Sequence, residues 1–278
     1  MTNIGVTASV DKLTLLVDGI DDEGIARLEP FLHFRTGGDG PNLSQGVYKH
    51  NAKIGNVWVE HRGIREEYST PSDLRIEFNP NNLEKGDEDV LRSLLSRGKV
   101  AKVSRVDIAL DVVGDGRMEH LGWHLNGAKS WKQWGNGDRI ETWYLGSGQS
   151  QKMLRVYDKG RKERERYDWW RIEMQHRPSG KEPLPENLFD KVRPLGIPSE
   201  WDPVANFNEY AIATAMALYP VVRYACQSDK RQRWLNRLEL AGREVIKPDE
   251  VYRKHRPALV AVLEHWQGQV KTEKLSAN

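Results

Sequence analysis

Four segments of the chain pair an apolar face with a face that carries arginine beside a carboxylate or a tyrosine. Side chains of a β-strand alternate between the two faces of a sheet. In residues 105–111 (RVDIALD), Arg105, Asp107, Ala109 and Asp111 fall on one face and Val106, Ile108 and Leu110 on the other. In residues 73–81 (DLRIEFNPN), Arg75 and Glu77 oppose Leu74, Ile76 and Phe78. In residues 169–175 (WWRIEMQ), Arg171, Glu173 and Gln175 oppose Trp170, Ile172 and Met174. In residues 153–159 (MLRVYDK), Arg155, Tyr157 and Lys159 oppose Leu154 and Val156. One such strand alone reads as a half-exposed strand with cross-strand ion pairs. Four together predict a platform of carboxylates, arginines and a tyrosine.

That inventory suits phosphodiester chemistry. Carboxylates hold a hard divalent cation, Mg²⁺ or Mn²⁺, through oxygen. Arginine and lysine stabilise negative charge on phosphorus in the transition state. Tyrosine, with a phenol pKa of about 10, is a nucleophile once its proton leaves. Spacing limits the ligand set. Asp107 and Asp111 stand four residues apart, roughly 13 Å along a strand at about 3.3 Å per residue, too far to share one ion. Asp107 is the more central and is the expected ligand, with Glu77 and Glu173 supplied by neighbouring strands; Asp111 is left as the partner of an arginine. Residue types alone do not choose Tyr157 over Tyr144.

Other chemistries lack their signatures. No Gly-rich loop ends in Lys followed by Ser or Thr, and no serine elbow is present. The histidines are His33, His50, His61, His120, His124, His176, His255 and His265. No two are separated by a single apolar residue, so a paired-histidine strand motif is missing. His120 and His124 have helical spacing but no HExxH, and are expected to be surface or packing residues. Cys226 is the only cysteine, which excludes an internal disulfide or a cysteine zinc site. No apolar run is long enough to span a membrane, and the N-terminus lacks a secretory pattern, so a cytoplasmic location is expected. The net charge of +2 is uninformative. Basic residues nevertheless cluster, at Arg155, Lys159, Arg161, Lys162, Arg164 and Arg166, and again at Lys230, Arg231, Arg233 and Arg237. Such clusters either neutralise phosphates or solvate a helix face.

The elements that must position these residues follow from periodicity. Strands are expected at 13–17, 56–60, 73–79, 103–113, 141–145, 153–157 and 169–175, the two before the last joined by a Gly/Ser loop at 146–150. Helices are expected at 21–33, from about 87 to 98, and at 206–218, 229–241 and 248–270. Residues 178–202 hold five prolines and read as an extended connector. Strands and helices without a regular βαβ rhythm predict an α+β fold with a largely antiparallel sheet and a helical C-terminal region. The expected division is a core over 1–178, a connector over 179–204 and a helical region over 205–278.

The stretches RIEFNPNNL (75–83), SRVDIALD (104–111), YLGSGQSQKMLRVYDKG (144–160) and WWRIEMQHR (169–177) resemble the replication initiation factor (Rep_trans) family, the initiators of rolling-circle plasmids with relatives in phages and conjugative elements. The blocks cover about residues 70 to 177; residues 1–50 match poorly. The resemblance implies a curved sheet flanked by helices, and metal-dependent nicking and rejoining at a double-strand origin by a homodimer. It makes Tyr157 the nucleophile, Asp107, Glu173 and Glu77 the supports of an Mg²⁺ or Mn²⁺ ion, and Arg155, Lys159 and Arg171 the phosphate contacts. Origin recognition maps to residues 223–237, here Arg223, Tyr224, Lys230, Arg231, Arg233 and Trp234. A host helicase is the implied partner. Two other readings stay open, a conjugative relaxase of the same family and an origin-binding regulator without enzymatic activity.

Overall fold

The computed structural model describes residues 5–35, 42–43, 48, 50–62, 72–136, 139–179 and 182–270. The strands are β1 (Gly5–Asp18), β2 (Asn42–Leu43), β3 (His50–Ile54), β4 (Val57–His61), β5 (Leu74–Phe78), β6 (Val100–Val113), β7 (Gly122–Leu125), β8 (Trp131–Asn136), β9 (Arg139–Leu145), β10 (Lys152–Asp158), β11 (Trp169–His176) and β12 (Val192–Leu195). The helices are α1 (Asp22–Arg35), α2 (Lys85–Leu95), α3 (Lys159–Lys162), α4 (Phe207–Leu218), α5 (Pro220–Ala225), α6 (Ser228–Arg243) and α7 (Pro248–Gln267). The fold class is α+β as expected, and every pairing with a known register is antiparallel.

The chain forms two compact units that do not follow chain order. One comprises residues 9–108, 177–183 and 257–278; the other comprises 1–8, 109–176 and 184–256. The first unit carries the strand order β2-β3-β4-β5-β1 and then the first part of β6. Ile76 of β5 sits between Val59 and Leu15 in register, and all three are fully buried with Leu13, Ile25, Leu28 and Leu94. The β3–β4 hairpin turns at Gly55, whose positive φ of 55° favours glycine. A capping box between Glu84 and Asp87 starts α2. Asp87 also accepts from Asn56 Nδ2 at 2.9 Å, which anchors the hairpin turn to the helix start.

In the second unit the last residues of β6 lie beside β11, followed by β10, β9 and β8. A second, two-stranded sheet pairs β7 with β12. Leu195 packs with Ala213, Met216, Ala217, Leu235 and Leu238 of α4 and α6. Gly122 is required here, because a Cβ at that position would stand 1.8 Å from the Ala217 carbonyl oxygen.

Several elements differ from expectation. His124 lies on strand β7, not on a helix with His120, because its neighbours Trp123 and Leu125 are buried in this sheet. Residues 184–201 are packed, not an extended connector: Leu184, Leu188, Phe189, Val192, Leu195 and Trp201 are all buried, and an apolar residue that finds a core is not left in water. Residues 180 and 181 of that stretch lie outside the described residues. Lys159 opens α3, so it does not continue the face of β10. Strands β2, β3, β7, β8 and β12 and helices α3 and α5 were not expected. No helix among the described residues is long and apolar enough to cross a membrane.

Candidate active site and nucleic-acid interface

Register assembles the face around Tyr157 within the second unit. Across β10 and β11, Arg155 stands opposite Glu173 and Tyr157 opposite Arg171. Across β9, the same residues face Tyr144 and Thr142. The Arg155 guanidinium donates to Glu173 at 2.5 Å. Arg171 donates twice to Asp111, at 2.8 and 2.7 Å, and Trp169 Nε1 adds a third bond to Asp111 at 2.8 Å. Asp111 is therefore the partner of an arginine. Burial works against charge on Arg155, but the charge and hydrogen bond of Glu173 outweigh it and hold the guanidinium above its ordinary pKa. It is a permanent cation.

That cation lies 4.8 Å from the centre of the Tyr157 ring. The Lys162 ammonium of α3 lies 5.3 Å from the same ring. Lys159, displaced from the strand, puts its ammonium 4.1 Å from the Trp169 ring instead. The platform is polar, as its alternation predicted, but it is not open to solvent. Tyr157, Arg171 and Glu173 are 6%, 6% and 5% exposed.

The expected metal ligands are all engaged by basic side chains. In the first unit, Asp107 is 2% exposed, and Arg105 from the same strand holds both of its oxygens at 2.8 and 2.6 Å. Glu77 accepts from Lys12 at 2.7 Å, from Arg75 at 2.6 Å and from Thr14 at 3.3 Å. Burial would raise the Glu77 pKa, yet Lys12 and the arginines lower it, so it stays ionised. In the second unit, Glu173 is held by Arg155. None of these carboxylates, as it stands, offers a preformed cage of free oxygens to a hard cation, which needs six or more.

Among the described residues, a different trio has ligand spacing: Glu29, His50 and His61 of the first unit, with donor atoms within 4.8 Å of one another. Sequence reading missed it. The signal was present, because the hairpin that pairs Ile54 with Val57 also pairs His50 with His61.

The C-terminal basic residues divide by exposure. Arg223 is not a surface residue. It is 1% exposed, and its guanidinium donates to the carbonyls of Met216, Ala217 and Trp123 at 2.9, 2.7 and 3.0 Å. Burial lowers its pKa to about 10. It ties the end of α4 to β7 and takes no part in a DNA surface, contrary to expectation. Trp234 is half-buried against Trp201, with ring centroids 5.3 Å apart. Tyr224 is 42% exposed, stacks on Trp131 at 5.0 Å and has the Arg231 guanidinium 5.9 Å from its ring. Lys230 and Arg233 are exposed on α6. Aromatic faces beside free cations can take a nucleic-acid strand by stacking and phosphate contact.

No protein-family model matches the chain. A solved structure, the rolling circle replication initiator protein from Geobacillus stearothermophilus, aligns over 85% of this chain and 97% of its own, at 14% identity and a TM-score of 0.42. A curated replication initiation protein from Staphylococcus aureus is 24% identical over 142 residues, 48% of this chain and 45% of that protein. The chain thus spans less than half the length of this relative. The resemblance to replication initiation proteins carried by the four strand blocks is borne out by a curated relative of that name.

Proposed function

We propose that the protein is a rolling-circle replication initiator that nicks one strand of its origin with Tyr157. The observation that carries this reading is the setting of Tyr157, on β10 between the cations of Arg155 and Lys162 and opposite Arg171 in register. The Tyr157 hydroxyl oxygen attacks the scissile phosphorus. A new phosphorus–oxygen bond forms to tyrosine, the bond to the 3′ oxygen breaks, and that oxygen leaves as a 3′-OH after taking up a proton; the phenol proton passes to solvent. The strand stays attached through a 5′-phosphotyrosyl link. Attack by a 3′-OH on that link reverses the step and rejoins the strand. Arg155, with Lys162 beside it, stabilises negative charge on phosphorus. Arg171, fixed by Asp111, keeps a second guanidinium on the same face. Lys159 is the remaining phosphate contact.

Metal dependence with Mg²⁺ or Mn²⁺ belongs to the proposal, and the ion would supply further charge neutralisation at phosphate. Asp107, Glu77 and Glu173 are its proposed supports from the resemblance, but their ion pairs do not fit a preformed site, and no step above passes through the ion. Origin DNA, a homodimeric state and a host helicase are the partners that this reading entails. Tyr224, Lys230, Arg231 and Arg233 supply the proposed origin contacts. The conjugative relaxase reading shares the nicking step. The low exposure of Tyr157 favours a second reading, a regulator that binds the origin without cutting it.

The test uses a 3′-end-labelled single strand that carries the origin, with Mg²⁺ or Mn²⁺, beside Tyr157→Phe. The expected outcome is a labelled adduct that survives denaturant and is formed by the wild type only. An adduct from both proteins moves the nucleophile to another tyrosine, with Tyr144 on the neighbouring strand the first to examine. Tight DNA binding without adduct from either leaves the regulator.

A further inference from the structure

We infer that Glu29, His50 and His61 bind one divalent cation of borderline softness, Zn²⁺ or a metal of similar preference, through residues that the proposed nicking step does not use. His50 and His61 are register partners on β3 and β4, and their rings stack with centroids 4.9 Å apart and planes 17° apart. Stacking alone would be ordinary packing. The hydrogen bonds of His61 point further. Its side chain is fully buried, and Nδ1 lies 2.8 Å from the Arg62 carbonyl oxygen. The nitrogen facing a carbonyl must carry the proton, which leaves Nε2 with its lone pair. Nε2 is buried and has no hydrogen-bond partner. A buried acceptor without a partner is unfavourable. A ring fixed by one N–H to a carbonyl, with the other nitrogen free to donate its lone pair, is how metal-bound histidines are held.

The remaining donors are near. The ligand atoms of Glu29, His50 and His61 all lie within 4.8 Å of one another. Two ligands of one zinc stand at most about 4.2 Å apart, twice a bond of roughly 2.1 Å. Glu29 and His50, both only half-buried, would have to move to close that gap, with the His50 ring turning out of its stack on His61 so that its lone pair faces the ion. The adjacent Arg62 does not repel a cation outright, because Asp22 and Asp73 each hold its guanidinium at 2.6 Å. Two imidazoles and one carboxylate select Zn²⁺, Co²⁺ or Ni²⁺ over Mg²⁺ or Ca²⁺, which prefer oxygen. Three protein ligands leave a fourth tetrahedral position for water. The site joins α1 to the β3–β4 hairpin.

The full-length chain, without a histidine tag and stripped with chelator, is titrated with Co²⁺ in the absence of DNA. One equivalent with visible d–d absorption, displaced by Zn²⁺, is expected, together with a rise in melting temperature. Glu29→Gln and His50→Gln, both at half-buried positions, should each weaken Co²⁺ by about tenfold or more and remove the thermal shift. Absence of Co²⁺ absorption in the wild type overturns the proposal. So does equal binding by wild type and both variants, which would place the ion on other histidines. Neither result bears on Tyr157, because no strand is cut in this experiment.

Discussion

Two polar clusters of this protein handle charge in opposite ways. Around Tyr157, each acid meets a guanidinium: Glu173 with Arg155, and Asp111 with Arg171. Lys162 is then left beside the tyrosine ring, so the face has cations to spare. At Glu29, His50 and His61, the acid meets imidazoles, one of which has an unused buried lone pair. The first arrangement is ready for an anion such as phosphate, the second for a cation. Residue type alone does not make this difference, since both clusters contain buried carboxylates or bases on antiparallel strands. What decides is whether the partner is a fixed guanidinium or a neutral ring with a lone pair.

Breaking a buried pair should have the largest effect. A buried ion pair is weak evidence of net stabilisation, but removal of one partner strands the other. Asp111→Ala would remove both bonds that hold the Arg171 guanidinium to Asp111, in a side chain 7% exposed, and would take the acceptor from the Trp169 N–H. The expected loss is about 3–5 kcal/mol in urea unfolding. Asp107→Ala removes the carboxylate from Arg105, whose side chain is 25% exposed and can be reached by water; the loss should be clearly smaller. Equal losses would show that burial of the partner does not set the cost.

Acid separates the two kinds of partner more gently. Guanidinium pairs keep their charges from neutral pH down to the carboxylate range, whereas buried imidazoles must stay neutral. Burial lowers the His61 pKa. Burial, with Arg223 and Arg193 nearby, pushes His124 down to about 4. Burial, with Lys152 nearby, does the same to His176. Each folded pKa lies below the ordinary 6.5, so between pH 6.5 and 4 the unfolded chain binds more protons. Stability is therefore full above pH 6.5 and falls as pH drops through this window, by roughly 1–3 kcal/mol for each strongly shifted histidine. Urea midpoints at pH 7 and pH 5 measure it. His124→Gln should flatten the dependence, and an unchanged slope in that variant would remove His124 from the account.

The strand faces were legible because alternation has a period of two and each of the four blocks repeats it over several residues. Arg171 could be placed on one face with Glu173, and Arg155 on one face with Tyr157, without any tertiary information. Burial of that face was not legible: alternation says which residues share a side, not what covers it. The His50–His61 pair required the hairpin register, and β3, whose AKI core carries little alternation, offered no strong strand signal. Arg223 looked like a phosphate contact because it heads a basic stretch. Its true partners are three carbonyls, one of them 100 residues away at Trp123, and no local pattern reveals such a contact. The prolines of 178–202 hid a buried segment for the opposite reason, since turn residues were visible while the core that Leu188 and Phe189 fill was not.

The smallest effect on stability belongs to exposed cations without an ion pair among the described residues. Lys230 and Arg233 are exposed on α6, and Lys230→Ala or Arg233→Ala should change unfolding by less than about 0.5 kcal/mol. Their effect should appear in DNA binding instead. Each phosphate contact releases counterions, so its loss lowers the slope of log K against log salt concentration by about one. Arg223→Lys offers the matched control. It disturbs a buried carbonyl clamp, so it should lower stability while leaving the salt slope of the folded protein unchanged. Fluorescence anisotropy across a salt series reads both. An unaltered slope in both exposed variants would mean that α6 merely solvates itself. The proposed DNA-binding cations would then have to be sought among Lys159, Arg161 and Lys162 of α3, and the proposed division between a buried chemical face and an exposed recognition helix would fail.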